Sequence, residues 1–135
     1  MEVILYLFWK IKFMNFSYQK LSDSYGSQIE GPLLIKPIIY EDKRGYFFES
    51  WNKKNWDNLL KENHQSKNNF VQDNHSKSSI GVLRGLHYQK SPNAQGKLVR
   101  CIAGEIYDVA VDIRKNSSTF GHYIGVHLSS INFNQ

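Results

Sequence analysis

From residue 70 onward the chain consists of short segments in which apolar and polar residues alternate, and this pattern restricts the folds open to it. The links between the segments contain Gly, Ser or Asn, and the segments are Phe70–Asn74, Ile80–Gln89, Lys97–Ile102, Glu105–Arg114 and Tyr123–Ser129. Alternation with a period of two residues is typical of strands that bury one face. Short strands separated by turns predict an antiparallel sandwich or barrel, and we expect a jelly roll.

The residues before this region predict two further strands and one helix. Leu33–Tyr40 is predicted to be an edge or bulged strand, because Pro37 cannot donate a ladder hydrogen bond. Tyr46–Trp51 alternates again after a charged turn. The apolar residues of Asn52–Glu62 recur at the i, i+3, i+4 spacing of one helix face: Trp56, Leu59 and Leu60. The predicted fold is therefore all-β with one short helix.

Composition excludes several classes of site. The chain has 135 residues, enough for one domain, and its single cysteine, Cys101, excludes an intramolecular disulfide and a cysteine-based zinc site. The formal net charge of +5 is spread over scattered lysines with no basic run longer than Lys53–Lys54. We therefore expect no nucleic-acid partner. The cysteine content favours a reducing cytoplasm.

The N-terminus carries no recognisable targeting signal. Its apolar run, Val3–Trp9, is far shorter than the ~20 residues that span a bilayer, and Glu2 precedes it where a signal peptide carries basic residues. We therefore expect no membrane partner. We interpret residues 1–30 as an N-terminal extension, with Met14 as the favoured start or an added edge strand as the alternative, and residues 31–135 as the domain.

His87 lies among apolar neighbours in GVLRGLHYQ, residues 81–89, where a buried imidazole needs either a partner or a task. Lys97 follows Pro92 at the same distance at which His87 precedes it. A hairpin symmetric about Pro92 places both side chains on one face, with Cβ atoms roughly 5 Å apart. The ammonium then disfavours protonation of the imidazole. A neutral histidine beside a cation is suited to removing a proton next to a carbonyl; a structural histidine and a solvated lysine are the alternative.

Arg84 precedes His87 by three residues, so a regular strand places them on opposite faces unless Gly85 forms a bulge.

A metal site on neighbouring strands needs three or four ligands. After His87, no second histidine follows closely, and the first glutamate is Glu105. We therefore expect no metal ion at this site.

Five motifs occur in order along the chain: KRGYFFES (43–50), FVQDNHSKS (70–78), GVLRGLHYQ (81–89), AQGKLVRCIAGEIYDVAVDIRKNSSTFG (94–121) and LSSINFNQ (128–135). Together they resemble the dTDP-4-dehydrorhamnose 3,5-epimerase family. The resemblance implies a cupin-type jelly roll, a homodimer, a dTDP-sugar substrate and no cofactor.

The resemblance also implies roles for individual residues. His87 corresponds to the general base that removes the protons next to the 4-keto group, and Lys97 to the residue that holds the enolate oxygen. Arg84 corresponds to an arginine facing the diphosphate, and Gln72 and Asn74 to polar ligands of the nucleotide-sugar. The residues that reach the nucleotide from a neighbouring subunit correspond to Arg44, Phe47 and Glu49.

The family pattern continues beyond the position of Gln135 with a strand block that includes a tyrosine acid and an aspartate orienting the histidine. We therefore expect the jelly roll of this sequence to lack C-terminal strands. We also expect these residues alone to be inactive as an epimerase and poorly soluble. The alternative function is that of a non-catalytic chain that binds a nucleotide-sugar weakly.

Overall fold

The computed structural model describes residues 15–65 and 69–135, and the predictions for residues 1–14, including the start at Met14, lie outside these ranges. The described elements are β1 (Phe16–Ser22), β2 (Gln28–Pro37), β3 (Tyr40–Asp42), β4 (Gly45–Phe47), α1 (Lys53–Glu62), β5 (Glu105–Val111) and β6 (Tyr123–Ser129). The prediction of a mainly β fold with one short helix is thus confirmed for this part of the chain. Its strands form three two-stranded sheets and no closed barrel. No helix in the described ranges is long and apolar enough to cross a membrane.

The first hairpin, β1–β2, is antiparallel and is closed by the side chain of Asp23. The carboxylate of Asp23 accepts hydrogen bonds from the backbone N–H groups of Tyr25 (2.9 Å) and Ser27 (2.8 Å). The register runs from Phe16 opposite Pro37 and shifts at a bulge before Gln28. β1 and the start of β2 lie within residues 1–30, which are predicted to be an extension. The domain boundary stays a prediction.

Helix α1 begins at Lys53, one residue after the predicted start at Asn52, and buries the predicted face. Asn52 is its N-cap, with Oδ1 accepting from the backbone N–H groups of Lys54 and Asn55, which satisfies two donors that the helix itself cannot pair. Trp56, Leu59 and Leu60 are buried. The helix packs on the first hairpin, and the resulting core cluster consists of Phe16, Ile35, Trp56 and Leu59.

The last hairpin, β5–β6, pairs Glu105 with Ser129 and continues in regular register to Val111 opposite Tyr123. The predicted strand Tyr123–Ser129 is confirmed. On one face of β6, Ile124 is 6% exposed and Leu128 is 2% exposed. Directly opposite residues point to the same side of an antiparallel pair, so this face also carries Ile106, which is 41% exposed, and Ala110, which is half-buried.

The link between β5 and β6 is organised around the buried carboxylate of Asp112. Asp112 accepts from the Arg114 guanidinium at 2.9 and 2.8 Å, from Ser117 Oγ at 2.6 Å and from Thr119 Oγ1 at 2.8 Å. These bonds, with that of Arg114 the largest contribution, hold the pKa of Asp112 far below its ordinary value, although burial alone raises it. The charged carboxylate therefore fixes the shape of this turn.

Contacts distant in sequence join the two hairpins. Ile35 in β2 and Gln135 exchange two backbone hydrogen bonds of 2.7 and 3.0 Å, and Gln135 Nε2 donates to the carbonyl of Ser50 at 3.0 Å. His122, before β6, pairs with the Asp23 carboxylate in the first turn. Burial raises the pKa of Asp23, but bonds from Ser27, His122 and Tyr25 outweigh this and lower it overall.

Residues 69–104, which we call the connecting segment, contain no helix or strand. The strands predicted at 70–74, 80–89 and 97–102 are therefore wrong for this structure. The predicted turn is present, since the Asn93 N–H donates to the Lys90 carbonyl at 2.8 Å. Every residue from 71 to 97 is exposed. A hairpin without a third strand or a packed face is marginal in water, and no described element pairs with this segment.

Candidate functional site

The structure divides the eight predicted site residues between two regions. Arg44, Phe47 and Glu49 lie in or just after the β3–β4 hairpin. The other five lie in the connecting segment and are exposed: Gln72, Asn74, Arg84, His87 and Lys97. The first group lies on or beside a hairpin, whereas the second group lies in a segment without helix or strand.

Arg44 lies in the turn of the β3–β4 hairpin, where Asp42 fixes it. The backbone N–H of Arg44 donates to Asp42 Oδ1 at 2.8 Å, and its guanidinium donates to both carboxylate oxygens. This pairing lowers the pKa of Asp42 and raises that of Arg44. The Arg44 side chain is 90% exposed. An exposed ion pair is weak, so an anionic ligand can compete with Asp42 for this guanidinium.

Phe47 points away from the rings of Tyr46 and Phe48, which contact Phe133 although Tyr46 is itself 59% exposed. The rings of Tyr46 and Phe48 lie 4.7 and 5.6 Å from that of Phe133, both edge to face. Side chains alternate along extended backbone, and the Phe47 ring is 70% exposed. A shallow concavity of about 120 Å³ beside the aromatic trio is lined by none of the eight predicted residues. The trio therefore anchors the hairpin and leaves Phe47 free to contact a partner.

The carboxylate of Glu49 is held at both of its oxygens. Its Oε1 accepts from Asn55 Nδ2 at 2.8 Å, and its Oε2 accepts from Asn52 Nδ2 at 3.0 Å. Both asparagines belong to the start of α1. Neither asparagine is predicted from the sequence as part of the site. The signal that could have found them is the spacing: Glu49 precedes the N-cap by three residues and the first helical turn follows directly.

Within the connecting segment, short local contacts position three of the predicted residues. Gln72 Nε2 donates to Asn74 Oδ1 at 2.9 Å, so two residues predicted to bind the nucleotide-sugar lie side by side. Arg84 Nε donates to Ser78 Oγ at 3.0 Å. Gly85, at which a bulge is predicted, has a φ of +108°, a conformation that favours glycine. The backbone therefore bends at that glycine.

His87 and Lys97 are not brought together by a strand ladder. The ladders of the described residues join β1 to β2, β3 to β4 and β5 to β6, and none includes residues 80–89 or 97–102. The predicted hairpin that places the imidazole opposite the ammonium is therefore absent. The roles of the two residues as base and enolate ligand stay predictions.

No group of three or more His, Cys, Asp and Glu side chains within residues 15–65 and 69–135 is placed to hold a metal ion. Two histidines in these ranges each pair with a single carboxylate, His122 with Asp23 and His127 with Glu105. The expectation of a metal-free site stays a prediction.

Comparison with known proteins decides the family. Residues 26–135 match the family model described as dTDP-4-dehydrorhamnose 3,5-epimerase. The chain belongs to this family. A relative of that name from Shigella flexneri is 55% identical over 109 residues, and one from Methanothermobacter thermautotrophicus is 51% identical over 106 residues. These alignments cover 81% and 78% of the chain.

Solved structures of epimerases are also similar to the chain. The dTDP-4-dehydrorhamnose 3,5-epimerase of Elizabethkingia anophelis is 44% identical, with a TM-score of 0.75 over 90% of the chain. The dTDP-6-deoxy-D-glucose-3,5-epimerase of Legionella pneumophila, in complex with dTDP-4-keto-L-rhamnose, is 53% identical, with a TM-score of 0.70 over 76% of the chain. The chain spans 61% and 52% of these two structures, and 58% and 54% of the Shigella and Methanothermobacter relatives.

Proposed function

We propose that the protein epimerises dTDP-4-dehydro-6-deoxy-D-glucose at C3 and C5 to dTDP-4-dehydro-L-rhamnose. The observation that carries this proposal is the family match over residues 26–135, which includes the positions of all eight predicted site residues. The enzyme is an isomerase acting in dTDP-L-rhamnose biosynthesis. It needs no metal ion or organic cofactor, because the 4-keto group of the substrate itself acidifies the neighbouring C–H bonds.

His87 and Lys97 divide the chemistry between them. His87 removes the proton from the carbon next to the 4-keto group, and the Lys97 ammonium stabilises the oxyanion of the enolate. General base catalysis typically contributes about 10²–10⁴-fold to a rate, and a single oxyanion donor about 10²–10³-fold. Return of a proton to the opposite face of the sugar inverts the centre.

The remaining residues bind the substrate. Arg84 offers a planar fork suited to the diphosphate, and Gln72 and Asn74 form a neighbouring pair of amides. Arg44 and Phe47 reach the nucleotide of a neighbouring subunit, together with Glu49. The outward direction of the Arg44 and Phe47 side chains supports contact with a second protomer.

We further propose a cupin-type jelly roll for residues 31–135, with residues 1–30 as an extension, assembled as a homodimer in the cytoplasm. The similarity to the Elizabethkingia epimerase structure supports this fold. We propose no nucleic-acid or membrane partner.

The test uses the protein in the form that its gene encodes, with dTDP-4-keto-6-deoxy-D-glucose in D₂O. NMR should detect deuterium at C3 and C5 and inversion of both centres. His87→Asn should lower turnover at least about 10²-fold while dTDP binding is kept. The matched control is His64→Asn, since His64 is exposed and its φ of +56° is one that asparagine tolerates.

Two outcomes separate the alternatives. A parent protein that binds dTDP but exchanges no deuterium is the non-catalytic binder. A parent that is active, with His87→Asn within tenfold of it, overturns the assignment of the base while leaving the reaction in place.

A further inference from the structure

The carboxylate of Glu49 is held at both of its oxygens. Asn55 Nδ2 donates to Oε1 at 2.8 Å and Asn52 Nδ2 donates to Oε2 at 3.0 Å. An ionised carboxylate has about four acceptor positions. Two of them are therefore used by the amides, and the others remain for a further donor.

The two amides are themselves fixed by the helix. Asn52 is the N-cap of α1, and its Oδ1 accepts from the backbone N–H groups of Lys54 (3.1 Å) and Asn55 (3.4 Å). The first turn of the ten-residue helix contains no acidic residue, so Glu49 supplies the negative charge that the positive helix end favours. A flexible glutamate is thus attached to a rigid element.

We propose that Asn52 and Asn55 are positioning residues that hold the Glu49 carboxylate ready to accept a hydrogen bond from an N–H or O–H group of the nucleotide-sugar. This inference rests on the proposed function, which assigns Glu49 to the substrate. A side chain that is ordered before binding loses less conformational freedom when the ligand arrives. The effect of the asparagines is therefore on affinity and not on the chemical step.

The competing explanation is that Glu49 serves only to stabilise α1. The variants below distinguish this role from positioning of the carboxylate for the ligand. Asn52→Ser keeps an N-cap oxygen, because serine caps about as well as asparagine, but removes the amide donor. Asn55→Ala removes the second donor and does not lower helix propensity. Asn58→Ala is the matched control, since Asn58 is exposed on the same helix.

The experiment measures kcat and KM for dTDP-4-keto-6-deoxy-D-glucose, Kd for dTDP, and the thermal midpoint, in the gene-encoded protein. The Asn52→Ser, Asn55→Ala double variant should raise KM and Kd about tenfold, with kcat within twofold and a thermal midpoint equal to that of Asn58→Ala. In a Glu49→Ala background the same pair of substitutions should have no further effect on KM, because they act through the missing carboxylate.

An unchanged KM and Kd with a lowered thermal midpoint would show a role in helix stability alone and overturn the inference. A further rise in KM in the Glu49→Ala background would also overturn it. A parent that binds dTDP without turnover contradicts the proposed reaction, yet the Kd comparison still tests the positioning. A parent that binds neither dTDP nor the sugar nucleotide overturns both.

Discussion

The β5–β6 hairpin and the connecting segment are adjacent in the chain and carry similar alternating patterns, but they differ in what their side chains touch. Ile124 and Leu128 of the hairpin are 6% and 2% exposed. Ile80 and Leu83 of the connecting segment are fully exposed and 91% exposed, respectively. The hairpin has a complete ladder and a face that packs, whereas the connecting segment pairs with no described strand. Alternation therefore specifies a strand only where a partner satisfies its backbone and covers its apolar side.

The turns of the two regions differ in the same way. The link after β5 is built on the buried Asp112 carboxylate and four side-chain hydrogen bonds to it. The turn after residue 89 is held by one backbone bond from Asn93 to Lys90. A charged acceptor satisfied from several sides fixes one geometry, whereas a single exposed hydrogen bond contributes only about 1 kcal/mol.

Amide hydrogen exchange should give the largest difference between the β5–β6 hairpin and the connecting segment. Paired amides of β5 and β6 should be protected roughly 10³-fold or more over those of residues 80–89, because the latter lack ladder bonds and open without unfolding anything else. Mass spectrometry of peptides covers both regions. Equal protection in the two regions would show that the connecting segment is as firmly structured as the hairpin. Added dTDP should reduce the difference in protection if the connecting segment orders around the nucleotide.

Matched leucine truncations test the same contrast energetically. Leu59 is 0% exposed in the core cluster, so Leu59→Ala should lower the free energy of unfolding by about 2–5 kcal/mol. Leu83→Ala removes a side chain that is 91% exposed and should change it by less than about 0.5 kcal/mol. Urea unfolding measures both. A Leu83 variant as unstable as the Leu59 variant would show that the connecting segment is packed in solution.

Asp112→Asn should lower the free energy of unfolding by less than Leu59→Ala does, and it tests whether the Asp112 carboxylate holds the turn after β5. The substitution leaves the buried donors of Ser117 and Thr119 poorly matched and should cost roughly 2 kcal/mol in the free energy of unfolding. Asp108→Asn is the control, since Asp108 is an exposed carboxylate on the same hairpin. A loss no larger than that of the control would mean that the carboxylate does not organise the turn.

The stability that Asp112→Asn removes should also depend on pH. The pKa of Asp112 is lowered in the folded state, and that of an aspartate in the unfolded chain is about 3.9. The unfolded state therefore binds the proton first, and the stabilisation is complete above about pH 5 and falls as the pH drops below about 4. The difference between the parent and Asp112→Asn should shrink over that acid range, and a constant difference would contradict the charge-based account.

The sequence predicted those elements whose determinants are local or lie in one ladder. The spacing of Trp56, Leu59 and Leu60 predicted α1 and its buried face, and alternation predicted β6 with the observed bounds. It failed for residues 80–89 and 97–102, because period-two alternation cannot show whether a pairing strand is present. The motifs identified the family, but the contacts of Glu49 with Asn52 and Asn55 depend on side-chain geometry that spacing alone does not give.

The contacts of Gln135 with Ile35 and of His122 with Asp23 join the two hairpins without passing through the connecting segment. Trypsin sites lie along that exposed segment, at Lys77, Arg84, Lys90 and Lys97. A cut there separates one piece with the first hairpin and α1 from another with β5 and β6, and leaves these noncovalent contacts between them. We expect nicking within residues 77–97 to leave the packed parts held together by these contacts. An inserted domain there would instead separate Arg84, His87 and Lys97, to which the proposed function assigns the substrate and the chemistry.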